Sequence, residues 1–178
     1  LATYGPPVLV ERYVAGREFH VHVLDAPGAG GPPVVLPATE IAFERDEPGR
    51  WAVYTYTAKW HEESDEYKAA PLRFPAELPA DAVARMADIA RRAYRAVGCR
   101  DYARADVRMD AAGNFHVLEV NPNPYLNSLA LVNGLLAVGS SYERAVVELA
   151  LAALARGGVR VPEGSVTVPE GLIAPDPG

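Results

Sequence analysis

Alternating hydrophobic and polar positions dominate the first part of this chain and predict strands. Val8 to Val14 reads as one strand, Ala15-Gly16 turns the chain, and Glu18 to Asp25 makes a second. Pro27 to Pro33 is a turn-rich connection; no Gly-Lys-Ser/Thr follows it and no helix opens after it, so it is not a phosphate-binding loop. Val34 to Phe43 and Trp51 to Lys59, rich in β-branched and aromatic residues, predict two further strands around a polar Glu44–Arg50 turn. His61 to Lys68 is charged and loop-like. The period then changes: Val83, Met86, Ala87, Ala90, Ala93, Tyr94 and Val97 recur at intervals of three and four. That spacing predicts a helix from Pro79 to Val97, with Gly98 as its stop. A second helix is expected from about Ser141 to Arg156, capped by Ser140 or Ser141 and favoured by Glu143 in its first turn.

Between the two helices lies the stretch with the most chemistry. From Tyr102 to Asp110, Arg104, Asp106, Arg108 and Asp110 fall on one strand face and Ala103, Ala105, Val107 and Met109 on the other. Asp110 to Asn114 supplies a turn, with Gly113 and Asn114 suited to a positive φ. A return strand from Phe115 to Asn121 puts Phe115, Val117, Glu119 and Asn121 on one face. If Asp110 pairs with Phe115, one register runs through the whole hairpin, Asp106 lies opposite Glu119, and Arg104 opposite Asn121. Two carboxylates facing each other across a ladder repel. A hard divalent cation reverses that sign, since two carboxylates and an amide oxygen make a ligand set suited to magnesium or manganese alongside phosphate oxygens. Arg104 beside them is a fixed positive donor for a phosphate or oxyanion. A solvated face of interleaved charges is the plainer alternative, and alternation alone does not decide between them. Asn-Pro-Asn-Pro at 121–124 then ends the pairing.

Composition narrows the class. The chain has 178 residues, 49% hydrophobic and 22% charged, which suits one domain with a sizeable core. Net charge is −6 with no basic run, arguing against nucleic acid as a partner. No apolar stretch is long enough to span a membrane and no leader is recognisable, so a cytoplasmic protein is expected. Cys99 is the single cysteine and fits a reducing compartment. His20 and His22 share a strand face with Glu18, but no third histidine or cysteine motif joins them as a zinc site. The arginines on the Pro79–Val97 helix read as a solvated face, and His116, out of phase with Glu119, takes no role. The fold expected is α+β, an antiparallel sheet of about six strands backed by two helices, over residues 1–156. Residues 157–178, dominated by Gly, Pro, Val and Glu without helical period, read as an extended tail or linker.

Arg-x-Asp, a hairpin, then Leu-Glu-Val-Asn-Pro-Asn-Pro resembles the metal-binding end of the ATP-grasp ligases, in particular the D-alanine–D-alanine ligase branch. The resemblance runs from Val8 to about Leu154. It implies that Asp106, Glu119 and Asn121 hold magnesium or manganese, and that Arg104 and Lys59 stabilise the transferring phosphoryl group and the oxyanion. Glu11-Arg-Tyr-Val-Ala-Gly-Arg-Glu18 resembles the segment framing the nucleotide of ATP, with Glu11, Tyr13 and Val14 at the adenine and Glu18 at the ribose. Tyr54-Thr-Tyr-Thr-Ala-Lys-Trp60 resembles the Tyr-Asp-Tyr-Glu-Ala-Lys-Tyr stretch that supplies the phosphate-contacting lysine, Lys59. Thr55, Thr57 and Trp60 depart from it. Beyond the hairpin Tyr125 stands where those ligases place an oxyanion-holding glycine, and Ala130 near the serine that takes the acceptor carboxylate, with Asn127 or Ser128 as possible substitutes. The resemblance implies a ligase joining small carboxylate and amine substrates, such as amino acids, with an upstream half or partner chain completing it. A non-catalytic nucleotide- or metal-binding regulatory module, and a ligase of peptide natural-product assembly, are the alternatives.

Overall fold

A computed structural model describes residues 5, 7–25, 31–44, 51–126, 129–162 and 164–167. The expected turns of Pro27–Pro33 and Glu44–Arg50 fall mostly outside the described residues, and Asn127, Ser128 and the end of the tail wholly so. The strands are β1 (Arg17–Leu24), β2 (Val34–Val35), β3 (Thr39–Ile41), β4 (Leu72–Arg73), β5 (Tyr102–Met109) and β6 (Phe115–Asn121). They form one antiparallel sheet in the order β4-β3-β1-β5-β6, with β2 also on β1. Its helices are α1 (Tyr56–Trp60), α2 (Asp65–Lys68), α3 (Ala80–Ala96), α4 (Leu129–Ala137) and α5 (Tyr142–Arg156).

The period-two pattern of β1 and β5 separates the two faces of the sheet. Phe19, Val21 and Val23 from β1 and Ala103, Ala105 and Val107 from β5 meet Met86, Ala90 and Tyr94 of α3 in the main core. Each larger side chain buried there stabilises the fold by roughly 1.5–3 kcal/mol. The opposite face carries the polar partners of those strands. α4, which sequence did not predict, has almost no polar face and packs Leu131 and Leu135 against Leu24 and Leu36. α5 begins at Ser141, whose hydroxyl accepts from the Arg144 N–H, and joins that second cluster through Ala145. It therefore sits beside α4 more than on the sheet.

Several expected elements take another form. Residues 7–14 form no strand, and Val8, Leu9 and Val10 are exposed. β1, which they lead into, is already paired by β2 and β3 on one edge and β5 on the other, so it offers them no free edge for the expected hairpin. The Val34–Phe43 strand divides in two around Pro37, which has no N–H to donate. Trp51–Lys59 is not a strand: the Thr55 hydroxyl accepts from the Ala58 N–H at 3.1 Å and starts α1. Ser64 likewise caps a short helix inside the expected His61–Lys68 loop.

The hairpin departs from a single register. Arg104 pairs with Asn121 and Asp106 with Glu119, as expected, but Val107 pairs with Val117, Arg108 with His116 and Met109 with Phe115. Leu118 is the extra residue of a β-bulge. Phe115 and Val117 therefore turn toward α3, as does Val120, while Glu119 and Asn121 keep to the polar face. The bulge also brings His116 round to the side of Glu119.

Candidate functional site

Three cross-strand rows on the polar face of β1, β5 and β6 make the site: Glu18–Arg108–His116, His20–Asp106–Glu119 and His22–Arg104–Asn121. In the first, Arg108 donates from Nε to Glu18 Oε2 at 3.0 Å, with Nη2 in ion-pair range of the same oxygen at 3.0 Å, and donates from Nη1 and Nη2 to the carbonyls of Val14 and Ala52. Its guanidinium lies 4.9 Å from the Tyr13 ring centroid. Burial pushes the Glu18 carboxyl up, against the pull of Arg108. His116 sits 2.9 Å from Asp110.

In the second and third rows Arg104 donates to both oxygens of Asp106, from Nε at 2.6 Å and Nη2 at 2.8 Å. Burial raises the Asp106 carboxyl, but these hydrogen bonds and the neighbouring charges outweigh it and hold the group below its ordinary range. His20 and His22 are buried, and burial followed by the charge of Arg104 lowers them to about 4 and about 3, so both rings are neutral at pH 7. The Asn121 side-chain oxygen accepts from the Asn123 N–H at 3.0 Å, tying the strand end to the Asn-Pro turn.

Above this face opens a cleft of about 630 Å³, within the range of ligand pockets. Glu11, Tyr13 and Val14 line it from the segment before β1, and Glu18 from β1 itself. Lys59 reaches it from α1, Asp106 from β5 and Glu119 from β6. Arg104 and Asn121 stand one row behind. Lining residues absent from the expected set include Tyr54, Arg108, His116 and Leu118. Arg108 was legible, since it shares the strand face of Arg104 and Asp106. His116 and Leu118 were not, because only the bulge puts them there. Lys59 lies 5.4 Å from the Tyr54 ring centroid. Asp106, Glu119 and Asn121 are the oxygen donors able to take a hard cation, and Glu119 is exposed to receive one. Among the described residues no three His, Cys, Asp or Glu side chains converge, so such a cation would draw further ligands from phosphate or water.

This antiparallel sheet with its cleft is the C-terminal domain of an ATP-grasp protein. The model of the family described as the D-ala D-ala ligase C-terminus matches residues 1–150, and the chain belongs to that family. D-alanine–D-alanine ligase A of Mesorhizobium japonicum is 37% identical over 154 residues, 86% of this chain and 40% of that protein. The ligase of Haemophilus influenzae is 37% identical over 143 residues, 80% of this chain and 42% of that protein. The crystal structure of the Bacillus anthracis D-alanine–D-alanine ligase complexed with ATP shares the fold, with a TM-score of 0.58 and 22% identity over 82% of this chain and 40% of that one. The chain thus spans about 40% of the length of the relatives it matches. No helix among the described residues is long and apolar enough to cross a membrane.

Proposed function

We propose that this chain is the C-terminal part of an ATP-dependent ligase that joins a carboxylate to an amine, over residues 1–156, with 157–178 as a tail. The observation that carries the reading is the single cleft into which Glu11, Tyr13, Val14, Glu18, Lys59, Asp106 and Glu119 converge from four separate segments. Backbone groups near Tyr13 and Val14, with Glu11, take the adenine. Glu18, held by Arg108, accepts from the ribose hydroxyls. Lys59 faces the phosphates, and Arg104 keeps donors to spare beyond the two it gives Asp106. Asp106, Glu119 and Asn121 hold magnesium, which when bound neutralises phosphate charge.

In the reaction the γ-phosphoryl group passes to a carboxylate oxygen and ADP leaves. The amine nitrogen then attacks the acyl carbon, and the tetrahedral intermediate expels phosphate as the amide forms. Lys59 and Arg104 supply positive charge where the phosphoryl group and the oxyanion develop charge. The substrates are small, amino-acid-like molecules, and the compartment is the cytoplasm, where Cys99 stays reduced. The acceptor side differs from a pocket for two D-alanines. Ala130, near the serine position, is a buried residue of α4, 3% exposed, and Tyr125, in the glycine position, is 65% exposed. Thr55 is spent on capping α1. These departures favour other amino acids, as in peptide natural-product assembly.

The test is Glu119→Gln in the chain joined to its upstream half. Removing one of two carboxylate ligands should abolish ATP turnover, measured as ADP release, while the melting temperature stays close to that of the parent. Undiminished turnover sinks the metal assignment.

A further inference from the structure

His20 has a buried Nε2 with no hydrogen-bond partner. A buried imidazole nitrogen left unpaired costs about 1–3 kcal/mol whether it donates or accepts, so its position calls for a cause. The ring is the β1 member of the middle row, directly opposite Asp106, and Asp106 is directly opposite Glu119. Asp106 therefore has His20 on one side and Glu119, exposed and open to the cleft, on the other. Nε2 lies 3.9 Å from Asp106 Oδ2, just beyond hydrogen-bond reach. What occupies Oδ2 instead is Arg104, which takes both carboxylate oxygens.

We propose that His20 is a positioning residue for Asp106, acting in the nucleotide-bound state. The proposal rests on the ligase reading above. Arg104 spends Nε and one Nη2 donor on Asp106, so that edge of the guanidinium can face a phosphate only by leaving the carboxylate. When Arg104 turns to the phosphate, Asp106 loses both of its hydrogen bonds at the moment it takes up a cation on its Glu119 side. A shift of under 1 Å brings His20 Nε2–H onto Oδ2. The carboxylate is then fixed from the β1 side with its cleft-facing lone pairs free, as carboxylate ligands of metals are commonly held by a neighbouring donor. His20 touches neither substrate nor cation. It acts through Asp106.

The experiment uses the chain joined to its upstream half, with Mn²⁺ as the probe and a non-hydrolysable ATP analogue present, reading bound metal by electron paramagnetic resonance. His20→Leu should weaken Mn²⁺ binding by about tenfold or more, the size expected for loss of a donor behind a ligand. Analogue affinity in the absence of metal should not change, and His20→Gln, which keeps an N–H donor at similar reach, should recover most of the metal affinity. In turnover the half-saturating Mg²⁺ concentration should rise in His20→Leu. His20→Thr, which keeps a strand-favouring side chain too short to reach Asp106, reads the same effect should the leucine variant not fold. Unchanged Mn²⁺ affinity in either folded variant overturns the proposal, as does a glutamine variant no better than leucine. Asp106→Asn separates this from failure of the parent reading. If Asp106→Asn loses Mn²⁺ binding while His20→Leu does not, only the positioning role falls; if Asp106→Asn binds normally, the cation site itself is wrong.

Discussion

Arg108 shows at the scale of one residue how the site is held. Its guanidinium satisfies Glu18 and the carbonyls of Val14 and Ala52, so a strand, the segment before it and the loop before α1 meet on one side chain. Both members of the pair are nearly solvent-free, with side-chain exposures of 3% for Arg108 and 8% for Glu18. Breaking such a pair from one side leaves an uncompensated buried charge and costs about 3–5 kcal/mol. Arg108→Met should therefore lower stability by that order, with the Glu18 carboxyl, already raised by burial, pushed further toward its protonated form. Adding Glu18→Gln to Arg108→Met should recover a large part of the loss, because it removes the stranded charge. Urea midpoints of the two single variants and the double variant give the coupling, and strictly additive losses would show that the pair does not act as a unit.

At the scale of elements, α1 is the device that delivers Lys59. The helix is five residues long, too short to persist by itself, and its only side-chain cap is Thr55. Thr55→Ala should cost about 1 kcal/mol locally. Amide exchange at Ala58 and Lys59 should accelerate about fivefold while the exchange of β5 stays at the global rate. Equal protection in the variant would mean that packing of Ala58 against Ile41 and Ala70, not the cap, holds the helix. This element also shows where sequence reading stops. Tyr54, Thr55, Tyr56 and Thr57 alternate and carry strand-favouring side chains, yet one hydroxyl accepting a backbone N–H decides for helix. The α3 pattern was legible because seven apolar residues repeat at one period, of which Met86, Ala90 and Tyr94 reach the main core while Val83 and Val97 stay exposed. The Asp106–Glu119 opposition was legible because it lies at the end of the hairpin where the simple register holds. Its other end was not, since nothing in Phe115 to Leu118 announces that Leu118 will be left out of the ladder. α4 escaped because an all-round apolar helix has no period to detect.

For the molecule as a whole, the question is how much of the nucleotide site these residues contain. The described cleft is built from four segments of this chain, and the groups assigned to the base and ribose are tied to the sheet through Arg108 and Glu18. The groups assigned to the cation sit on the hairpin itself. On the ligase reading, then, base, ribose and metal are held here, and the upstream part, which accounts for most of the relatives' length, closes over the phosphates. Calorimetric titration of the 178-residue chain with ATP should accordingly show binding that strengthens with Mg²⁺, because Asp106 and Glu119 repel phosphate until a cation lies between them. Restoring the upstream half should tighten that binding further and deepen its metal dependence, since a closed site excludes water and strengthens every charge contact within it. Binding indifferent to Mg²⁺ in both forms would remove Asp106 and Glu119 from the metal site and leave the cleft as a nucleotide pocket of another kind. Binding absent from the chain but present and metal-dependent once the upstream half is restored would move the base contacts across the boundary while keeping the ligase assignment.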